Sequence, residues 1–196
     1  MAESRSRYDE KLALILRTAA SIFADKGYHQ ASIRDISRAT GLSLSGLYYY
    51  FSSKEELLFL IQDHCFGTIL ENLEELLTGV DEPRERLRLL IDNHLRFFVG
   101  NMKEMKVLSY GADSLSGEYR RRVNAKKKRY TDLCMEILAA LSPAESTAAL
   151  RTATFSLFGM TNWIHRWYRP EGPLSLEDVV REMSDYAMAS LLGPVR

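Results

Sequence analysis

The chain has 196 residues, 46% of them hydrophobic, which is enough to bury a core either as one elongated domain or as a small domain followed by a larger one. Lys and Arg together number 26 and so do Asp and Glu, so a nucleic-acid partner would have to be bound by a local patch rather than by net charge. The first 30 residues lack an apolar signal core, and no stretch approaches the roughly 18 apolar residues of a membrane span, which predicts a cytoplasmic protein with no membrane partner.

The spacing of apolar residues predicts helices from the beginning of the chain, with no strand-like alternation between them. In the N-terminal third the predicted helices span residues 8–26, 33–40, 44–51 and 54–77. Gly27 and Gly41 are placed to end the first two helices, and Ser32 is placed to cap the second. Ser53 and Glu56, three residues apart, predict a capping box at the start of the fourth. The second and third helices are short and need tertiary support.

Further helices are predicted at residues 84–99, 101–110, 118–141, 143–168 and 175–192. Prolines mark several of their boundaries: Pro83 suits the first turn of a helix, and Pro143 is placed to open another. The loop at 169–173 holds two prolines and a glycine, which prevent one helix from continuing into the next. The sequence therefore predicts an all-α fold.

Cys65 and Cys134 lie far apart in apolar helical segments, with no CxxC or Cys/His spacing. This pattern favours two buried thiols in a reducing cytoplasm over a disulfide framework. His165 is expected to pack or to form a hydrogen bond rather than to bind a metal. We therefore predict neither a metal site nor a cofactor.

The segment from Ser32 to Lys54 contains two short helices joined by a glycine-containing turn and preceded by a longer helix, the arrangement that places a recognition helix in the major groove of DNA. The hydroxyl groups of Ser43 and Ser45 can approach base edges there, and Gly46 lets the backbone come close. The candidate DNA contacts are Ser32, Arg34, Ser43, Ser45, Gly46, Tyr48, Tyr49, Tyr50 and Lys54. The plainer alternative is that the aromatic run is only core and surface.

The residues at 32–36, 41–43 and 47–57 resemble the signature of the TetR family of bacterial repressors. The resemblance implies that Tyr48, Tyr50 and Lys54 touch phosphates and that Tyr49 faces the groove. The sequence departs from the commoner pattern at Leu44, at the Ser45-Gly46 order and at Tyr50, so the operator sequence stays open. The first 60 residues hold eight Lys and Arg against seven Asp and Glu, so binding is expected to be salt-sensitive and to need both protomers.

The C-terminal half is rich in aromatic and methionine side chains, most of which must be core. A subset lining a cavity would form an apolar pocket between helices, and methionine adapts well to varied ligands. The candidate pocket residues are Phe97, Phe98, Met102, Met105, Tyr110, Phe158 and Trp163. For any one of these residues taken alone, a place in the core is the favoured interpretation.

A run of cations, at 120–122 and 126–129, puts seven Lys and Arg into ten residues of one predicted helix. Such a run is usually a solvated face. Its density, unbalanced by nearby acids, also suits a multiply phosphorylated group at the mouth of a pocket, where arginine favours bidentate contacts.

The late segment Phe158-Gly-Met-Thr-Asn-Trp-Ile-His-Arg-Trp-Tyr-Arg-Pro170, with Gly172, resembles the TetR-family subgroup that controls fatty-acid or steroid degradation and responds to acyl-CoA thioesters. It implies an acyl or sterol-like tail among the apolar residues and the phosphates of CoA near the cations. The further ligand candidates are Arg121, Lys128, Asn162 and Arg166. In the family the last two helices, here around 155–168 and 175–192, form a four-helix dimer interface.

These features predict a homodimeric repressor with a helix-turn-helix domain at 1–53 and a ligand-binding and dimerisation domain at 54–196. The ligand-free dimer would space its recognition helices one groove turn apart on operator DNA, and a small-molecule effector, an acyl-CoA, would favour a spacing that no longer fits. A sensor of unrelated hydrophobic drugs, and an activator, are alternatives in the same class.

Two other classes of protein are open alternatives. An enzyme acting on acyl thioesters would need a similar pocket, but no nucleophile, base and orienting acid occur at motif spacing, and an enzyme would not need the N-terminal third. A helical adaptor is the other possibility. We predict a regulator rather than an enzyme.

Overall fold

A computed structural model describes the backbone of residues 2–111 and 114–192 and the side chains of residues 7–108 and 114–190. Every regular element in these ranges is helical, which confirms the all-α prediction. The helices are α1 (Ala2–Lys26), α2 (Ile33–Thr40), α3 (Leu44–Tyr48), α4 (Lys54–Leu76), α5 (Pro83–Gly100), α6 (Met102–Gly111), α7 (Gly117–Leu141), α8 (Thr147–Asn162), α9 (Ile164–Trp167) and α10 (Leu176–Leu192). No described helix is long and apolar enough to cross a bilayer.

The start of α4 differs in detail from the predicted capping box. The hydroxyl of Ser53 accepts the Glu56 backbone N–H at 3.0 Å, as predicted. The Glu56 carboxylate, however, accepts the backbone N–H and the hydroxyl of Ser52 instead of the Ser53 backbone N–H. The acid reaches one residue further back than the pattern indicates, so only half of the capping box is present.

The predicted helix at 143–168 is wrong in two respects. Pro143 lies in a turn, and α8 begins at Thr147, where the Ser146 hydroxyl accepts the backbone N–H of Ala149 at 3.2 Å. The Ser146 hydroxyl satisfies a backbone N–H that would otherwise lack a partner in the first turn, which stabilises a helix that begins at Thr147. The helix also ends at Asn162, and the single turn α9 follows.

By packing, the chain divides into two compact units, which we call the N-terminal unit (1–66 and 103–124) and the C-terminal unit (67–102 and 125–196). Helices α4 and α7 each contribute residues to both. The division differs from a domain boundary between residues 53 and 54, because the first halves of α4 and α7, with most of α6, group with the N-terminal helices. The boundary at 53/54 stays a prediction.

The core of the N-terminal unit holds the two short helices in place. Fully buried side chains on α1, α2, α3 and α4 form it: Ile15, Ala19, Ala20, Ile36, Leu47, Leu57 and Leu58. A five-residue helix such as α3 has no stability of its own, so its position depends on burial of Leu47. Phe51, just past α3, is also buried and continues this core.

The C-terminal unit buries apolar residues of α5 together with the second halves of α4 and α7, and with α8 to α10. Its most buried members include Leu73, Leu87, Ile91, Leu95, Ile137 and Ile164. Each unit also holds one cysteine, Cys65 or Cys134, as a free and buried thiol, and burial raises the pKa of each to about 12. The prediction of two buried thiols is confirmed.

Replacement of Ser146 by alanine tests the start of α8. We expect Ser146→Ala to lower the free energy of unfolding by about 1 kcal/mol, because the Ala149 N–H loses its cap. Ser156→Ala, at an exposed position inside α8, is the matched control and should not destabilise the protein. Urea unfolding followed by circular dichroism measures both. If α8 began at Pro143, Ser146 would lie inside the first turn and Ser146→Ala would be neutral or stabilising.

Candidate nucleic-acid interface and ligand-binding half

A reciprocal cap fixes the start of α2. The Ser32 hydroxyl accepts the Asp35 backbone N–H at 3.2 Å, and the Ser32 backbone N–H and hydroxyl donate to Asp35 Oδ2 at 2.9 and 2.8 Å. Asp35 also accepts Lys26 Nζ at 2.9 Å and Arg38 Nη2 at 2.7 Å. The hydrogen bonds from Lys26 and Ser32 hold the pKa of Asp35 well below its usual range. Ser32 is therefore engaged in its own helix cap, and its direct contact with DNA stays a prediction.

The turn between α2 and α3 is fixed by Gly41, which ends α2 with φ of 69° in the left-handed region. A side chain is strained in that conformation, which explains the glycine. The Ser37 hydroxyl donates to the Leu42 carbonyl at 2.6 Å and closes the turn from the other side. The predicted second helix, with its N-cap and its C-cap, is thus confirmed.

The first turn of α3 presents exposed hydroxyl groups. Ser43 caps the helix by accepting the Gly46 backbone N–H at 3.1 Å, and its Oγ lies 3.0 Å from Ser45 Oγ. A Cβ on residue 46 would lie 3.2 Å from Ser43 Oγ, so Gly46 leaves room for the capping hydroxyl. A role for Gly46 in close approach to the duplex stays a prediction.

The aromatic run that ends α3 divides into core and surface. Phe51 is buried, whereas Tyr48 is 51% exposed, Tyr49 is 73% exposed and Tyr50 is half-buried. A phenol can donate a hydrogen bond to a phosphate and can also contact a base. Three neighbouring tyrosines at the surface are therefore well suited to a nucleic-acid interface.

The cations around the short helices differ in how they are held. Arg34 is exposed on α2 and forms no ion pair with any residue that the structure describes, whereas Arg38 is paired with Asp35. Lys54 donates to the His29 carbonyl at 3.3 Å and lies 4.6 Å from the centre of the Tyr28 ring. Burial lowers the pKa of the Lys54 ammonium group. Of these three cations, Arg34 is the most available to a phosphate.

The start of α7 and the residue before it contact α4 within the N-terminal unit. The Ser116 backbone N–H and hydroxyl both donate to Glu55 Oε1 at 2.8 Å, and the rings of Phe59 and Tyr119 stack with centres 4.5 Å apart. Arg122 lies 4.8 Å from the centre of the Phe59 ring. The start of α7 is therefore attached to α4 beside Lys54, an arrangement that no sequence motif indicates.

The predicted pocket residues are distributed over both units. Phe97 and Phe158 are buried in the C-terminal unit, where Phe98 and Met102 are half-buried, whereas the buried Met105 belongs to the N-terminal unit. Trp163 is 59% exposed, with the Arg166 guanidinium 5.5 Å from its ring centre. The side chain of Tyr110 lies outside the described residues. The structure thus brings together only part of the predicted set.

A polar group that the sequence analysis missed lies among these aromatic residues. His94 is buried, with Nε2 3.0 Å from Asn162 Oδ1 and Nδ1 3.4 Å from the Tyr130 hydroxyl. Its ring stacks on Phe98 and Phe158, with centres 4.2 and 5.5 Å apart. With Nε2 donating to the amide oxygen, Nδ1 accepts from Tyr130, so the imidazole is neutral and both nitrogens are satisfied.

A cleft of about 600 Å³ opens in the C-terminal unit between α4 and α5. Its lining residues are Asn72, Glu75, Leu76, Asp92, Asn93, Arg96 and Phe97. Phe97 is the member of the predicted ligand set that lines it. Arg96 lies there between Asp92 at 2.8 Å and Glu177 at 3.2 Å.

Acids accompany several of the cations on α7, which corrects the impression of an unbalanced run. In the N-terminal unit Arg121 pairs with Glu118. In the C-terminal unit Lys128 pairs with Asp132, and Arg129 lies 3.2 Å from Glu74. The partners come from one helical turn away or from another helix, so they are absent from the run itself. These pairs lie at the surface, so each stabilises the fold only weakly.

No group of three or more metal-ligating side chains occurs in the described part of the chain. His165 Nδ1 lies 2.7 Å from the Asn162 carbonyl, the kind of hydrogen bond expected of it.

Comparison with known families decides the class of protein. A family profile described as bacterial regulatory proteins of the tetR family matches residues 15–61, and one described as the Tetracyclin repressor-like C-terminal domain matches residues 80–191. The chain belongs to the TetR family. The predicted recognition of operator DNA by a transcriptional regulator, rather than catalysis by an enzyme, is thereby confirmed as the class of function.

Relatives within the TetR family extend the comparison. The chain is 26% identical to the fatty acid metabolism regulator protein of Bacillus subtilis over 84% of this chain and 87% of that protein. It is also 26% identical to the transcriptional repressor KstR2 of Mycolicibacterium smegmatis, over 99% of this chain and 93% of that one. Among solved structures, AibR in complex with isovaleryl coenzyme A and operator DNA is 29% identical with a TM-score of 0.79, covering 94% of this chain and 100% of that chain.

The buried His94 makes a testable contribution to pH dependence. Burial lowers its pKa from 6.5 to about 4, so the unfolded chain takes up a proton at a pH where the folded chain does not. The contribution of the neutral His94 to the free energy of unfolding should be fully present above pH 6.5. As the pH is lowered toward 4, the free energy of unfolding should fall by up to about 3 kcal/mol because of this group. We expect His94→Gln to lose this slope between pH 6.5 and 5, measured by urea unfolding.

The exposed His64 on α4 provides the control, since His64→Gln should keep the slope of the parent protein. An unchanged slope in His94→Gln would show that His94 is not buried as a neutral imidazole.

Proposed function

We propose that this TetR-family regulator binds its operator as a homodimer through α3 and the tyrosines that follow it, and that an acyl-CoA thioester releases it. The observation that supports DNA binding most strongly is the exposure of Tyr48 and Tyr49 at the end of a short helix whose core residue, Leu47, is fully buried. A recognition helix requires a rigid support and exposed side chains that can form hydrogen bonds, and tyrosines meet the second need.

In this proposal the surface of the N-terminal unit has two kinds of contact. Tyr48, Tyr50, Lys54 and Arg34 bind phosphates and set the register on the duplex. Tyr49, Ser43 and Ser45 face the major groove, with the Gly46 backbone close to it. Ser32 is proposed to lie close to a phosphate at the start of α2, where backbone N–H groups attract the negative charge of the DNA backbone.

Helices α8 and α10 are proposed to form the dimer interface. Both carry large exposed side chains: Phe155 on α8 is 52% exposed, and Tyr186 on α10 is 69% exposed. Exposed aromatic groups on neighbouring helices favour contact with another protein surface. A second copy of α8 and α10 would cover them in a four-helix arrangement.

The proposed effector is an acyl-CoA of lipid or steroid catabolism. Support comes from the Bacillus subtilis relative, a fatty acid metabolism regulator, and from AibR, whose structure contains isovaleryl coenzyme A. In the C-terminal unit the acyl chain is placed beside Phe97, Phe98, Met102 and Phe158, with Asn162, Trp163, Arg166 and Lys128 toward its polar end. On the sequence alone, Met105, Tyr110 and Arg121 are also proposed to contribute to effector binding.

Repression with release by the effector follows from a two-state dimer. The effector must bind the state that does not fit the operator more tightly than the state that does. The attachment of Ser116 to Glu55 is one contact through which α7 can influence the start of α4. In an activator the same coupling would have the opposite sign.

A sensor of unrelated hydrophobic compounds is the second candidate. The ion pairs of Arg121 with Glu118 and of Lys128 with Asp132 favour it, because paired cations on a helix surface need no phosphate. Such a sensor would respond to apolar compounds alone.

Fluorescence-anisotropy titration of the upstream intergenic DNA of the chain's own gene tests the proposal, at low and moderate salt, with and without long-chain acyl-CoA. We expect tight, salt-sensitive binding that acyl-CoA reverses, whereas free CoA and free fatty acid do not. If the protein binds this DNA but no thioester changes the binding, the chain is still a DNA-binding regulator, but the hypothesis of an acyl-CoA effector is wrong. Absence of specific binding would overturn the proposal as a whole.

The cationic contribution is tested with Arg121→Ala combined with Lys128→Ala. We expect the double variant to bind DNA normally but to need more acyl-CoA for release, because it lacks two phosphate partners. Arg84→Ala, an exposed arginine on α5, is the control. An unchanged response of the double variant, with direct ligand binding intact, would contradict a role for these cations.

Loss of the proposed phosphate contacts should change the salt dependence. We expect Tyr48→Ala and Arg34→Ala to weaken operator binding, and Arg34→Ala to reduce the slope of log K against log salt by about two, one for each protomer. Arg84→Ala should leave affinity and slope unchanged. Equal affinity of the parent and both variants in anisotropy titrations would contradict the proposed interface.

The dimer is tested by placing a charge on the exposed aromatic positions. We expect Phe155→Asp or Tyr186→Asp to yield monomers in sedimentation velocity and to weaken operator binding, because a buried unpaired carboxylate opposes association. Leu14→Asp, on an exposed apolar residue of α1, should remain dimeric. Dimers in all three variants would place the interface elsewhere.

A further inference from the structure

We propose that Tyr8, near the start of α1, is a positioning residue for DNA recognition that orders the side chains of Tyr49 and Tyr50 before DNA binds. The proposal rests on the proposed function of α3 and its tyrosines as the DNA interface. It adds a residue that lies outside the helix-turn-helix signature and that no motif identifies.

The geometry is a cluster of three phenol rings within the N-terminal unit. The Tyr8 ring stacks on Tyr50, with centres 4.9 Å apart and planes at 27°. It meets Tyr49 edge to face at 6.0 Å, and Tyr49 meets Tyr50 in the same way at 5.3 Å. Each ring therefore contacts both others, in the offset and edge geometries that aromatic pairs favour.

Tyr8 is held by a rigid element. Helix α1 starts at Ala2, ahead of the start at Tyr8 indicated by the apolar period. Tyr8 lies on the same face as Leu12, Ile15 and Ala19, at steps of three to four residues, and Ile15 and Ala19 are completely buried. The face of α1 that packs in the core thus extends to Tyr8. The packing that holds α1 in place therefore also holds Tyr8 at the edge of the proposed interface.

The side chain of Tyr49 needs contacts such as the one with Tyr8, because most of its surface is exposed to solvent. It follows the last residue of α3 and is 73% exposed. A tyrosine that is free to rotate loses side-chain entropy when it binds, whereas a ring already held in place does not. The Tyr8 contact is a source of this pre-organisation, and it acts on Tyr50 through the stack at the same time.

A purely structural role would have a different signature. Tyr8 is only half-buried, beyond the fully buried part of α1, so its removal leaves the core of the unit intact. Burial and the neighbouring phenols of Tyr49 and Tyr50 raise its pKa, so the hydroxyl stays neutral in any ordinary assay. The stack needs an aromatic ring but not a hydroxyl, so phenylalanine should replace Tyr8 and alanine should not.

Operator titrations of the full chain with Tyr8→Ala and Tyr8→Phe provide the first test. We expect Tyr8→Ala to lower operator affinity by about tenfold, the factor that matches one aromatic pair, and Tyr8→Phe to stay within about twofold. Thermal unfolding of Tyr8→Ala should show no more than the small loss of stability expected from the removed aromatic contacts, and its sedimentation should match that of the parent. In a Tyr50→Ala background, Tyr8→Ala should have a much smaller effect, because the partner of the stack is already absent.

Three results of these titrations would overturn the proposal. They are an unchanged affinity of Tyr8→Ala, an equal loss in Tyr8→Phe, which would indicate a direct contact of the hydroxyl with DNA, and full additivity of Tyr8→Ala with Tyr50→Ala.

Fluorine NMR of 3-fluorotyrosine-labelled protein without DNA separates this proposal from the proposed function. We assign the resonances with Tyr49→Phe and Tyr50→Phe and expect Tyr8→Ala, but not Tyr8→Phe, to shift and narrow both lines as the rings become mobile. Unchanged lines in Tyr8→Ala would overturn the positioning role. If the parent protein does not bind its upstream DNA, the proposed function fails, while this measurement still decides whether Tyr8 orders the two rings.

Discussion

Burial of Leu47 beneath the five-residue helix α3 is the contact on which the proposed DNA interface depends. A helix of this length cannot persist in water, so its place is set by the apolar side chains of α1, α2 and α4 around it. Because Leu47 and Phe51 point into that core, the tyrosines between them remain at the surface. The same packing that stabilises the fold therefore presents the recognition groups.

Polar contacts then fix where the short helices begin and end. The reciprocal cap of Ser32 and Asp35 fixes the start of α2, and the left-handed Gly41 fixes its end. The link from Glu55 to Ser116 attaches the start of α7 to the same unit. The proposed regulation needs this combination: a rigid support for the recognition groups, and a connection from it to helices that continue into the proposed ligand-binding half.

Features that depend on near neighbours in the chain were predictable, and features that depend on tertiary contacts were not. The caps of α2 follow from side chains within three residues, and the apolar period identifies the long helices. Pro143 suits a turn as well as the first turn of a helix, so the proline alone does not determine that α8 begins at Thr147. Neither the His94 contact with Asn162 nor the Tyr8 contact with Tyr50 has a local signal, since each joins residues far apart in sequence. The pairing of Arg129 with Glu74 was missed for the same reason.

We propose above that two copies of this helix-turn-helix bind one operator together. Hydroxyl-radical footprinting on the upstream DNA tests it most directly, because it maps protected backbone on both strands at single-nucleotide resolution. The account predicts two protected patches related by symmetry, with centres about 34–36 Å apart along one face of the duplex or a multiple of that spacing. A single unsymmetrical patch, or uniform protection at every salt concentration, would contradict it.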